Sequence, residues 1–163
     1  MPVEIRLSDL NSAADAAAVI AVLDSYASDP RGGSEPLSAQ VRDRLIPGLK
    51  SHPTTRIWLA WDAGQAVGLC VGFLGFSTFQ ARPLLNIHDL AVVPGRRGGG
   101  VGRALLSAAE SHARQAGCCK LTLEVLDDNH PARGLYERFG FRDVKHGDSG
   151  PMRFLSKNLG NLT

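Results

Sequence analysis

The sequence predicts an α/β fold: a mixed, mostly antiparallel, twisted sheet of about seven strands with about four helices, in a single domain spanning 1–163. Three observations carry this reading. Runs with a period of two begin at Arg56 and repeat, which reads as an antiparallel meander of three strands. The stretch Leu85–Leu106 reads as strand, tight glycine loop, helix. A new apolar run at Leu121, Leu123 and Val125 follows that helix, and this strand–helix–strand order predicts a right-handed crossover with local parallel pairing.

Composition bounds the function classes. A chain of 163 residues with 44% hydrophobic residues suits one globular domain with a sizeable core. A net charge of +2 is too weak and too dispersed along the chain to suggest a nucleic-acid footprint. No apolar run is long enough to cross a membrane, and Met1-Pro2-Val3-Glu4-Ile5-Arg6 lacks the basic-then-apolar form of a signal peptide. Cys70, Cys118 and Cys119 are an odd count without metal spacing, so buried thiols, no metal and a cytoplasmic protein are expected.

Taken in order, Val3–Leu7 alternates and reads as the first strand. Ser8 or Asp9 is the expected cap of a helix with apolar spacing at Ala17, Ile20, Ala21 and Leu23, ending near Ala27. Ser28–Pro36 is rich in turn residues and reads as a mobile loop or a lid. A second helix is expected from Ser38 to about Leu49. Arg56–Trp61 and Ala66–Phe79 are strands joined by a hairpin turn at Asp62-Ala63-Gly64-Gln65. The long helix runs from Gly100 to Ala116, with Gly117 beyond its end, and His112 reads as a satisfied, half-buried histidine. Asn129–Phe139 is a short helix with Pro131 in its first turn. Phe141–Val144 and Met152–Leu155 are expected as the last two strands, and their exposed edge as a route to a homodimer.

The alternation in the strand starting at Leu85 slips by one at His88-Asp89. A slip of one reverses every later side chain unless a β-bulge absorbs a residue, so a bulge is expected there. Pro94 ends the strand, and Gly98, Gly99, Gly100 and Gly102 lead into a helical pattern starting at Val101. Glycines permit close approach and positive φ, and a helix start offers unpaired N–H groups and a favourable dipole to an anion. With Arg96, Arg97 and Arg103 alongside, the loop reads as a pyrophosphate seat. Arg103-Ala104 follow where a P-loop needs Lys and Ser/Thr, and both Gly-x-Gly registers lack the third small residue of a dinucleotide fingerprint.

The run Arg97-x-x-Gly100-x-Gly102 resembles the acyl-CoA signature of the GNAT superfamily of N-acetyltransferases. The resemblance continues through Leu121-Thr122-Leu123-Glu124-Val125 and Asn129-x-x-Ala132-x-x-Leu135-Tyr136-Glu137-x-x-Gly140-Phe141, close from about Leu85 to Phe141 and loose elsewhere. It implies that the bulge splays a central pair of parallel strands. The pantetheine arm of acetyl-CoA would then lie along Leu90, Ala91 and Val92. The pyrophosphate would sit on Arg97, Gly98, Gly99, Gly100, Val101, Gly102 and Arg103, and Asn129 would hydrogen-bond the arm. A backbone N–H near Leu90 would polarise the thioester carbonyl.

The reaction implied is acetyl transfer to an amine of a small molecule, a protein N-terminus or a lysine, by direct attack in a ternary complex. Tyr136 stands where the family keeps its proton donor to the thiolate, and would also touch the cofactor. Glu124 is the first candidate for the base that deprotonates the amine; Asp89 is second and His88 third. Asp29, Glu35 and Asp148 are candidates for attracting a cationic amine, or plain surface charges. The alternative from another class is a non-catalytic acyl-CoA-binding module, which would need neither Tyr136 nor Glu124.

Overall fold

The computed structural model describes residues 3–160; Met1 and Pro2, which open the stretch read above as no signal peptide, lie outside the described residues. In order the chain forms β1 (Glu4–Leu7), α1 (Ala13–Ala27), α2 (Ala39–Ser51), β2 (Thr55–Asp62), β3 (Gln65–Ser77), β4 (Arg82–Val92), α3 (Val101–Gln115), β5 (Leu121–Leu123) and α4 (His130–Phe139). Two compact units result, one up to Leu126 and one from Asp127.

The first unit holds a mixed five-stranded sheet in the order β1-β2-β3-β4-β5. Neighbours from β1 to β4 are antiparallel, and β4 pairs with β5 in parallel. Ala63 and Gly64 both have positive φ, 47° and 79°, which makes the two-residue turn that suits the twist of the β2–β3 hairpin. Ile57–Ala60 of β2 and Val67–Gly72 of β3 are buried without alternation, because helices cover both faces. On one face Val19 and Val22 of α1 pack with Ile57, Leu59, Leu69, Val71 and Ala91. On the other, Val101 and Leu105 of α3 reach down to Gly68.

Helix α1 departs from expectation in phase and cap. Ser12, not Ser8 or Asp9, caps it, its side chain accepting from the N–H of Asp15. The buried positions are Asp15, Ala18, Val19 and Val22, at spacing i, i+3, i+4, i+7, while Ala17 and Ala21 are exposed. A fully buried aspartate in a core position is not legible as apolar periodicity. Arg6 of β1 accounts for it: its guanidinium donates two hydrogen bonds to Asp15, at 2.8 and 2.6 Å, and the N–H of Asp9 donates a third at 2.8 Å. Arg6 also lies 4.9 Å over the ring of Trp61.

Five strands stand where about seven were expected. Phe141–Val144 and Met152–Leu155 carry no strand. Each is four residues long, interrupted by charges (Arg142-Asp143, Arg153), and the link between them holds Gly147, Gly150 and Pro151. Met152, Phe154 and Leu155 are exposed, so neither segment buries enough apolar surface to offset the cost of ordering its backbone. The strand edge expected to support a homodimer is therefore absent from these segments. The second unit is organised by α4, which is capped by Asn129 at its start and by Gly140, with φ 113°, at its end.

The Arg6 hydrogen bonds hold the Asp15 carboxyl below the usual carboxylate range, with the Asp9 N–H helping and burial opposing. A lowered pKa in the folded state contributes stability above the unfolded value that is lost as pH falls through the folded one. Asp15→Asn is expected to lower stability by about 2–3 kcal/mol at neutral pH. The deficit relative to the parent should shrink in acid, as followed by urea unfolding at several pH values.

Candidate active site

The site is built on one extra residue. In the β3–β4 ladder Gly72 pairs with Ile87 and Val71 pairs with Asp89, so His88 is skipped. This is the expected bulge, at the expected place. The parallel ladder with β5 runs Leu85↔Leu121, Asn86↔Thr122, Ile87↔Leu123 and stops at the same point. The Asn86 side-chain amide ties the two strands just before they part, donating to Thr122 Oγ1 at 3.0 Å. Beyond Ile87, no strand among the described residues pairs with the outer edge of β4. Leu90, Ala91 and Val92 lie on that length, paired on their inner edge with Cys70, Leu69 and Gly68.

The glycine loop continues from β4. Gly95, Gly98 and Gly100 have φ of 84°, 78° and 85°, a region that L side chains avoid. Gly100 caps α3 without a side-chain hydrogen bond, so the first N–H groups of the helix have no side-chain cap. Space around a Cβ at Gly98 or Gly100 is open, which leaves room for a ligand to approach the backbone. Arg96 pairs with Asp62. Arg97 donates from Nε to the carbonyl of Val92 at 3.0 Å and from Nη2 to Asp29 Oδ2 at 2.9 Å. Gly99, Gly102 and Arg103 complete the segment, with Arg103 exposed on the first turn of α3. Gly68 seats this helix: a Cβ there would lie 2.9 Å from the carbonyl oxygen of Ala91 and 3.1 Å from Val101 Cγ1.

The two candidate bases stand in different surroundings. Asp89, two residues past the last parallel rung, is half-buried, and burial pushes its carboxyl above the ordinary value while His88 opposes the shift. Glu124 is exposed, and it does not lie on a strand, because β5 ends at Leu123. That corrects the expectation of a strand through Val125: once β4 bulges away, β5 has no ladder to continue. His88 is exposed, with its ring 5.5 Å from that of Phe73, which in turn lies 5.1 Å from His52 at the end of α2. Burial pushes the Tyr26 phenol up, Asp89 and Asp29 adding to the shift. Phe73 and His52 were not legible as site neighbours, since only the tertiary fold brings β3, α2 and the bulge together.

Other candidates resolve plainly. Asp29 is engaged by Arg97 and by the N–H of Arg31, so it is not a free anion for an amine. His112 accepts from Arg56 Nε at 3.3 Å and lies edge-to-face with Trp58, as a satisfied half-buried histidine does. In the second unit, Asn129 caps α4, its Oδ1 accepting from the N–H of Ala132 at 3.4 Å. Tyr136 lies on α4, half-buried, its ring 5.7 Å from Phe141 in an edge-to-face pair.

A bulged strand, a parallel ladder that stops at the bulge and a glycine-capped helix after it form a pattern that comparison with known proteins identifies. The sequence profile of the acetyltransferase (GNAT) family matches residues 19–141. The chain belongs to this family. Among relatives, it is 33% identical over 129 residues to the uncharacterized N-acetyltransferase YhfO of Bacillus subtilis (strain 168), covering 79% of this chain and 85% of that one. It is 38% identical over 105 residues to the putative [ribosomal protein bS18]-alanine N-acetyltransferase of the same organism, covering 64% of this chain and 66% of that one. The crystal structure of a probable acetyltransferase superposes with a TM-score of 0.78 at 17% identity, covering 94% of this chain and 99% of that one. This GNAT protein is an N-acetyltransferase, and its acceptor is an amine.

The seating of α3 is testable. Gly68→Ala forces a methyl against the β4 backbone and the first turn of α3, and overpacking of this kind costs about 1–3 kcal/mol. A lowered melting temperature is expected, whereas Gly98→Ala, in open space, should cost only its positive-φ strain of about 1 kcal/mol.

Proposed function

We propose that this GNAT N-acetyltransferase takes its acetyl group from acetyl-CoA and passes it directly to the amine, with Asp89 as the base. The observation that carries the choice of base is the half-buried Asp89 carboxyl at the bulge, its pKa raised by burial. A base must be ionised at the working pH yet basic enough to accept a proton from an ammonium, and a raised carboxylate meets both needs better than an ordinary one. Glu124, exposed beyond the end of β5, is the second candidate.

The residues present fit the cofactor. The open space at Gly98 and Gly100 and the cap of α3 without a side chain suit a pyrophosphate, held by Arg97 to Arg103. Leu90, Ala91 and Val92, on the edge of β4 without a strand partner, would hold the pantetheine arm by backbone hydrogen bonds, and Asn129 would add one more. When bound, acetyl-CoA supplies an activated acyl group with a thiol leaving group. The N–H of Leu90 is assigned the polarising bond to the acyl oxygen. Tyr136 is assigned the proton donated to the departing sulfur, on the strength of its place in the Asn129–Phe141 motif. Cys70, paired with Leu90 across the β3–β4 ladder, is fully buried and its thiol is pushed up to about 12. It stays neutral and is no competing nucleophile, which favours direct attack over an acyl-enzyme.

Four variants test this reading, once a screen of amines and peptides, read by release of CoA thiol, has supplied an acceptor. Gly100→Glu adds bulk and negative charge at the helix cap, and should abolish coenzyme A binding by calorimetry while the protein stays folded. Asp89→Asn should lower turnover by about 10²–10⁴-fold and remove the rising limb of the pH–rate profile. That limb should lie above the ordinary carboxylate range, since the working form is the ionised one and its pKa is raised. Glu124→Gln should leave the limb in place; its loss there would move the assignment to Glu124. Tyr136→Phe should lower kcat by a similar factor with coenzyme A affinity nearly unchanged.

A further inference from the structure

The turn after α1 is wound around one residue. The main-chain carbonyl of Asp29 accepts from the N–H groups of Gly32, Gly33 and Ser34, at 2.8, 3.2 and 3.1 Å, and its Oδ1 accepts from the N–H of Arg31 at 3.0 Å. Gly32 presses on the end of α1 so closely that a Cβ would lie 1.9 Å from the carbonyl oxygen of Tyr26. The remaining carboxylate oxygen of Asp29 points elsewhere, to Arg97, 68 residues away, at the start of the glycine loop. Arg97 is fixed from the other side by the carbonyl of Val92 on β4. A guanidinium has five N–H groups, so these two bonds leave three for an anion.

We propose that Asp29 is a positioning residue through which the pyrophosphate loop orders the turn after α1, so that binding of coenzyme A tightens residues 29–34. This rests on the reading of that loop as the coenzyme A site. The Arg97 end of the pair is exposed, so the pair contributes little to stability through its charges and supports the fold only weakly. Its geometry is that of a bridge: one end organises four successive N–H bonds of a turn, and the other holds the first arginine of the acyl-CoA motif. An anion drawn to the free N–H groups of Arg97 immobilises the guanidinium, and an immobilised guanidinium holds Asp29. Tyr26, three residues before Asp29 and within electrostatic reach of Asp89, connects the turn to the bulge. Coenzyme A binding and ordering of the turn would then favour each other, a coupling that is reciprocal.

The test is amide hydrogen exchange on the full chain with and without coenzyme A, alongside calorimetry. In the parent protein, coenzyme A should slow exchange at Arg31–Ser34 by about tenfold or more. Asp29→Asn keeps the shape, the carbonyl and an oxygen for the Arg31 N–H, but loses the charge that holds Arg97. It should bind coenzyme A more weakly by a factor comparable to the slowing it loses, about tenfold, and show no ligand-dependent slowing. Asp29→Glu, which keeps the charge, should recover part of it. A merely structural role would speed exchange equally with and without ligand, and would overturn the proposal. Faster exchange on adding coenzyme A would also overturn it, since the ligand would then be stripping Arg97 from Asp29. Absence of coenzyme A binding to the parent protein would overturn the reading of the loop itself, and the coupling with it.

Discussion

Everything at the site follows from His88 having no opposite number on β3. Two constraints act on β4 at once: it must stay paired with β3, which carries the core, and it must leave β5. A straight strand cannot do both, because an unbroken ladder on each edge would hold β5 alongside for its whole length. One inserted residue keeps the β3 ladder nearly complete, ends the β5 ladder after three rungs, and brings Asp89 opposite Val71 in a half-buried setting. The glycine loop and α3 are then delivered to the end of the freed edge.

That constraint was visible in the sequence because it disturbs a period. Alternation at Leu85 and Ile87 resumes out of step at Leu90 and Val92, and only a bulge reconciles the two. Turns that need positive φ were equally legible, since Ala63-Gly64 and Gly100 stand at positions where few residues fit. Asp15 was not legible. An aspartate at a core position reads as an error in the apolar pattern until Arg6, on another element, is seen to satisfy it. The last two strands failed for the opposite reason: four-residue apolar runs look alike in sequence whether or not a ladder receives them.

The candidate site divides along the same line. Its backbone half, β4 and the glycine loop, is contiguous in sequence, and the bulge, the positive-φ glycines and the helix start are legible there. Its side-chain half comes from distant segments. The choice between Asp89 and Glu124 turns on burial and on where β5 ends, and spacing carries neither. Phe73 and His52 enter only through tertiary placement, and the engagement of Asp29 by Arg97 removes a charge that the sequence offered to the substrate.

The sealed thiol of Cys70 has a consequence for the wear of the protein. Disulfide exchange and oxidation at sulfur proceed through the thiolate. Thiolates react and neutral buried thiols do not, so the interior of the sheet is shielded from this chemistry. Cys118 and Cys119, half-buried on the short link between α3 and β5, are the more accessible thiols. A modification there would lie just before the three residues that pair with β4, at the parallel rungs and away from the core on β2 and β3.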